Sequence, residues 1–149
     1  MINILIIHGP NLNLLGEREC KWYGEKSLDE INKLIIQKAK ELGCKVQIEQ
    51  SNSEGEIVDI IQKAKGSAHG IVINPAAYTH TSVAIRDAIS AVNLPAIEVH
   101  ISNIYKREEF RHKSFIAPVC IGQISGLGPL GYVFALEALF NLLKEGENT

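Results

Sequence analysis

Apolar and polar positions along this chain follow two rhythms in turn. Ile2-Asn3-Ile4-Leu5-Ile6-Ile7 is almost continuously apolar, as a strand buried on both faces requires. Ser27-Leu28-Asp29-Glu30 then opens a helix as a capping box. Leu28, Ile31, Leu34, Ile35 and Leu42 give that helix one apolar stripe, and Gly43 stops it. Cys44 to Gln50 alternates as a second strand. Ser53 and Glu56 predict a second capping box, followed at helical spacing by Ile57, Ile60, Ile61 and Ala64 and ended at Gly66. Gly70 to Asn74 reads as a third strand, stopped by Pro75. A helix follows from Thr81 to Val92, then a fourth strand from Pro95 to His100 and a fifth from Phe115 to Ile121. Pro129 opens a last helix, Leu130 to Leu143, as proline suits a first helical position. Five strands interleaved with helices predict one α/β domain spanning residues 1–149. Its core would be a five-stranded, doubly wound parallel sheet, and the flavodoxin-like order is the natural topology at this length. The last helix is apolar nearly all round, which fits either a subunit interface or dense packing across the sheet.

The rhythm breaks once. After the first strand the chain runs from residue 8 to residue 26 before its next predicted helix. A loop of that length in a compact domain is usually functional. It carries Asn11, Asn13, Arg18, Tyr23 and three glycines, good material for an active-site lid. Open parallel sheets bind ligands beyond the carboxyl ends of their strands. Asn11 and Asn13 follow the first strand, Asn74 ends the third, and Glu98-Val99-His100 ends the fourth. Strand alternation turns Glu98 and His100 to one face, so the carboxylate can orient the imidazole and favour its charged form, as a general acid needs. Ser102 and the amides beside it suit either a helix cap or a bound carboxylate. A cation in the lid, Arg18, would favour the anionic form of Tyr23.

Composition narrows the classes. A chain of 149 residues, 46% hydrophobic and 21% charged, suits one soluble core, and a net charge of -2 gives no reason to expect nucleic acid. No apolar run is long enough for a membrane span. The start of the chain is a poor signal peptide, and three cysteines without a C-x-x-C pair read as reduced thiols, so a cytoplasmic protein without structural zinc is expected. Gly126-Leu127-Gly128-Pro129-Leu130-Gly131 matches a dinucleotide fingerprint. It stands too near the chain's end to open a βαβ unit, and reads as a tight turn with close helix–sheet packing. No lysine lies in an apolar strand, which disfavours imine chemistry. His8 reads as a packed strand-end histidine.

The ordered motifs point further. Gly9-Pro10-Asn11-Leu12-Asn13-Leu14-Leu15-Gly16, Arg18, Tyr23-Gly24, Ser51-Asn52, Glu54-Gly55-Glu56 and Asn74-Pro75-Ala76-Ala77-Tyr78-Thr79-His80-Thr81-Ser82 come first. Arg86-Asp87-Ala88, Glu98-Val99-His100-Ile101-Ser102-Asn103, Arg107-Glu108 and Phe110-Arg111 follow, and the Gly126/Gly128 turn closes the series. The chain so patterned closely resembles the type II 3-dehydroquinate dehydratases, nearly end to end. The resemblance implies a lyase of the shikimate and quinate pathways, serving aromatic amino acid biosynthesis, that converts 3-dehydroquinate to 3-dehydroshikimate by anti elimination through an enolate. By that resemblance Tyr23, as tyrosinate, removes a C2 proton, and Arg18 stabilises the phenolate. Asn11 helps hold the enolate oxygen through a water, and His100, oriented by Glu98, protonates the departing C1 hydroxyl. Asn74, Ser102 and the amides of Ile101 and Ser102 would hold the substrate carboxylate. His80 and Arg111 would bind ring hydroxyls, and Asp87 would reach a neighbouring subunit's site. No cofactor and no metal are implied, and the expected assembly is a homododecamer of four trimers. His8 and Cys20 depart from the commonest family pattern, which has Asn and Pro there. The competing reading is a non-catalytic flavodoxin-like nucleotide- or phosphate-binding domain, against which Arg18 and Tyr23 in the first loop weigh.

Overall fold

The computed structural model describes residues 1–17 and 19–148. Strands β1 (Asn3–His8), β2 (Lys45–Gln50), β3 (Gly70–Asn74), β4 (Ala96–His100) and β5 (Gly122–Ser125) form one sheet in the order β2-β1-β3-β4-β5. All four pairings are parallel. This is the flavodoxin-like order expected from alternating strands and helices. A four-residue helix, α1 (Cys20–Tyr23), precedes α2 (Leu28–Leu42). The later helices are α3 (Glu54–Ala64), α4 (Val83–Val92) and α5 (Leu130–Glu147).

Strand alternation divides the core in two. Ile4, Ile6, Val72, Ile97 and Val99 pack under α2 and α5, with Tyr132, Leu136 and Leu139. Leu5, Ile7, Ile71 and Ile73 pack under α3 and α4. Strands β1, β3 and β4 are buried almost throughout, hence the apolar runs of β1 and β3; β4 buries Glu98 and His100 as well. The register pairs His8 with both Gln50 and Asn74, Ile73 with Glu98, and His100 with Ser125. The polar strand ends therefore converge at one edge of the sheet.

Three expectations need correction. The fifth strand is Gly122–Ser125, not Phe115 to Ile121; residues Ala117–Val119 instead form a 3-10 turn with Pro118 inside it. Proline cannot donate to a ladder, and the apolar residue that suggested a strand, Ile116, is buried beneath the α3/α4 face. The stretch after β1 is not structureless: it contains a 3-10 turn, Leu12–Leu14, and α1. The Ser27 box is complete, with Glu30 N–H donating to Ser27 Oγ at 3.2 Å and the Glu30 carboxylate reaching back to the cap. The Ser53 box is only half formed. Glu56 N–H donates to Ser53 Oγ, but the Glu56 carboxylate accepts from Ser51 Oγ at 2.8 Å. The Gly126/Gly128 turn serves packing: both glycines have positive φ, and a Cβ on Gly126 would lie 2.7 Å from Asn103 Cβ.

Candidate active site

A cleft with about 610 Å³ of empty space, part of it open to solvent, lies over the carboxyl ends of β1, β3 and β4. Asn11 lies on its wall just beyond β1, and Asn74 stands at the end of β3. His100, Ile101 and Ser102 continue from β4 into the same wall. Tyr23 arrives from α1, His80 from the turn after β3, and Arg111 from a 3-10 turn at Glu109–Arg111. Eight of the residues expected at the site thus share one cleft. Glu98 lies behind it. Asp87 is exposed on α4 and is not part of this cleft. The expectation for Arg18 lies outside the described residues.

Glu98 is fully buried and heavily hydrogen-bonded. Its Oε2 accepts from His100 Nε2, from Thr79 Oγ1 at 3.1 Å and from Gln123 Nε2 at 3.0 Å, while Oε1 accepts from Ser114 Oγ at 2.7 Å. Burial alone would push this carboxyl up. The hydrogen bond and charge of His100, with the donors Ser114 and Gln123, more than offset that and hold it below the usual carboxylate range. An ionised Glu98 fixes the ring of His100 by Nε2, so Nδ1 is the nitrogen not spent on it. His80 lies parallel to His100 at 6.4 Å and donates from Nδ1 to the Lys113 carbonyl at 2.8 Å. Burial, together with the His100 and Arg111 charges, holds His80 below its ordinary range.

Opposite chemistry gathers around Tyr23. Arg107 Nη1 donates to the Tyr23 phenol oxygen at 2.7 Å and to Ser102 Oγ at 3.3 Å. The guanidinium carbon stands 5.1 Å from the ring centroids of both Tyr23 and Trp22. Asn103, not Ser102, caps the following turn, its Oδ1 accepting from Tyr105 N–H at 3.1 Å. Ser102 is left as a cleft residue.

Sequence reasoning did not single out Arg107 for a role. The signal was there, because Arg107 stands five residues after Ser102 in the segment leaving β4 and is a cation as Arg18 is. Thr79, Ser114 and Gln123 were also missed as partners of Glu98. They come from three separate segments, and only the folded sheet brings them together.

The family profile described as Dehydroquinase class II matches residues 2–140. The chain belongs to the class II dehydroquinase family. It is an enzyme of hydro-lyase type. The 3-dehydroquinate dehydratase of Trichodesmium erythraeum is 60% identical over 144 residues, covering 97% of this chain and 96% of the relative. That of Halothermothrix orenii is 57% identical over 146 residues, covering 98% and 99%. Among solved structures, the type II dehydroquinase of Butyrivibrio crossotus superposes with a TM-score of 0.91 at 50% identity, over 93% of this chain and 97% of that one. The residues matched by the profile span every strand of this dehydroquinase and all the residues that line its cleft.

Proposed function

We propose that this chain dehydrates 3-dehydroquinate to 3-dehydroshikimate in the shikimate pathway, with Tyr23 as base and His100 as acid. The observation that carries the reading is the pairing inside one cleft. A phenol oxygen receives a guanidinium hydrogen bond at 2.7 Å, and an imidazole is backed by a buried carboxylate. Such a pair suits an elimination that needs one base and one acid.

The Tyr23 phenolate takes a C2 proton, and the electron pair moves into the ketone to form an enolate. Asn11, through a water, steadies the enolate oxygen. The enolate then collapses, the C1–O bond breaks, and His100 delivers the proton that lets the hydroxyl leave as water. Tyr23 ends protonated and His100 neutral, and one net proton passes between them to reset the site. Arg107 holds the phenolate, a part shared with Arg18. Asn74, Ser102 and the amides of Ile101 and Ser102 receive the carboxylate, and His80 and Arg111 take ring hydroxyls. No cofactor or metal enters any step. Asp87 reaches a neighbour's cleft in a dodecamer of four trimers, and the apolar outer face of α5 suits such an assembly.

Absorbance of the product enone tests the reading. Purified protein with 3-dehydroquinate should produce it, and protein that does not is no dehydratase. Tyr23→Phe should nearly abolish kcat while leaving substrate binding within a few-fold; turnover unchanged in that variant would remove Tyr23 from the mechanism. His100→Ala should still exchange the C2 proton with solvent deuterium, because proton removal precedes hydroxyl loss.

A further inference from the structure

Behind the cleft, on the α2/α5 face of the sheet, four polar side chains form a single buried chain of hydrogen bonds. Asn74 Oδ1 accepts from Ala76 N–H at 3.0 Å, which fixes which end of the amide is which. Asn74 Nδ2 donates to the Tyr132 hydroxyl at 2.9 Å. The Tyr132 oxygen lies 2.9 Å from His8 Nδ1, and His8 Nε2 lies 2.8 Å from Asn32 Oδ1. His8 and Asn74 are register partners on β1 and β3, Tyr132 comes from α5 and Asn32 from α2. His8 and Tyr132 are almost wholly shielded, at 0% and 1% exposure.

Only one set of directions satisfies every member. Asn74 spends one Nδ2 hydrogen on Tyr132, so the hydroxyl must send its own proton elsewhere. The bare Nδ1 of His8 takes it. His8 then carries its proton on Nε2, where Asn32 Oδ1 accepts. A protonated His8 would present a hydrogen to Tyr132 from the other side and leave the hydroxyl proton without an acceptor. Burial keeps the imidazole neutral, holding it at a pKa of about 4. The second Nδ2 hydrogen of Asn74 remains for the cleft that Asn74 lines.

We infer that Tyr132 and His8 are positioning residues, which lock the Asn74 carboxamide with an N–H aimed at the substrate carboxylate. The inference rests on the reading of the cleft as a dehydroquinate site. His8, where the family pattern commonly has Asn, thereby orders a hydrogen-bond chain that ends at a substrate contact.

The substrate carboxylate sits on C1 and keeps its charge from ground state to transition state, so a contact to it is made in both, and loss of its orienting partner should appear in KM more than in kcat. Tyr132→Phe deletes one oxygen and keeps the ring that packs in the α2/α5 core. Expected for this variant, and for His8→Leu, is a KM for 3-dehydroquinate raised about tenfold with kcat within about twofold. His8→Gln, which keeps one acceptor and one donor, should retain a KM within about twofold of the parent. In parallel, the side-chain amide resonances of Asn74 in a 15N–1H spectrum should shift in Tyr132→Phe, a readout that needs no turnover. Parent protein inert toward 3-dehydroquinate would sink the functional reading, and this inference with it. Active parent with an unchanged KM in Tyr132→Phe, a loss confined to kcat, unmoved Asn74 amide signals, or His8→Gln as impaired as His8→Leu would overturn the inference alone.

Discussion

The neutral imidazole of His8 bears on stability as well as on the cleft. Its folded pKa of about 4 lies below the ordinary 6.5, so between those values the unfolded chain binds a proton that the native state refuses. Stability is then full above pH 6.5 and falls as the pH drops toward 4, by roughly 3 kcal/mol if the whole shift is realised. Thermal melts of the parent should show this loss across that window, and His8→Gln should flatten it. His80, also depressed, adds a slope of the same sign that the variant keeps. Glu98 is depressed too, but as a carboxylate it loses its contribution only at more acid pH. A variant with the parent's full slope would show that His8 is not the group responsible. At this scale the sequence carried the chemistry unevenly. His100 and Glu98 stand out by position, as a strand-end pair with the right alternation, whereas Tyr23 on its own reads as a loop residue and is singled out by the family resemblance. Tyr132 stands out by neither. It sits in an apolar helix where a tyrosine reads as core, and only the partner at the end of β3 shows why its hydroxyl matters.

Elements depend on backbone contacts that residue types signal more faintly. Gly9 follows β1, and its N–H donates to the Asn74 carbonyl at 2.8 Å. A Cβ there would stand 2.6 Å from the Pro75 carbonyl oxygen and 2.9 Å from that of Asn74. Both are backbone atoms and cannot swing aside, so the ends of β1 and β3 would have to part. Gly9→Ala should destabilise the chain by about 1–3 kcal/mol in urea melts, and should cost activity because those same ends carry the site. Gly55 is the contrast. It lies in the first turn of α3, and the nearest atom to an added Cβ is Ser53 Oγ at 4.0 Å. Gly55→Ala should be neutral or stabilising by about 0.5–1 kcal/mol, and a loss there would mean the helix start is constrained in some other way. The same distinction explains what the pattern could and could not reveal. The buried strands β1 and β3 are apolar except at their ends, β4 begins apolar before its Glu98 and His100, and all three were legible. β5 is a short edge strand whose Gln123 is committed to Glu98, so it looks polar, and the apolar residues ahead of it read as the strand instead.

Across the whole molecule, the alternation of elements was enough to expect the sheet order, and the sheet order placed the cleft. What one chain leaves open is its outer surface. Leu130 and Phe134 on α5 are 53% and 45% exposed, Leu127 just before them is 55%, and Ile121 and Leu142 form a second apolar patch beside β5. Apolar groups in such patches mark surfaces that bind something, and the proposed assembly of trimers is the partner consistent with an Asp87 that is exposed on α4 and does not line its own cleft. A shared site makes a sharp demand. Tyr23→Phe leaves a subunit without its base, and Asp87→Ala leaves it unable to complete its neighbour, so each pure variant should turn over poorly. Unfolding the two together and refolding at equal ratio creates clefts whose body comes from the Asp87→Ala chain and whose Asp87 comes from the Tyr23→Phe chain. Random assembly makes about a quarter of the clefts fully native, so about a quarter of parental activity should return. Light scattering on the same sample should give a mass several times the 16.4 kDa of the chain. Assembly without recovered activity would confine each cleft to a single chain, and a monomeric mass would leave the apolar patches for another partner.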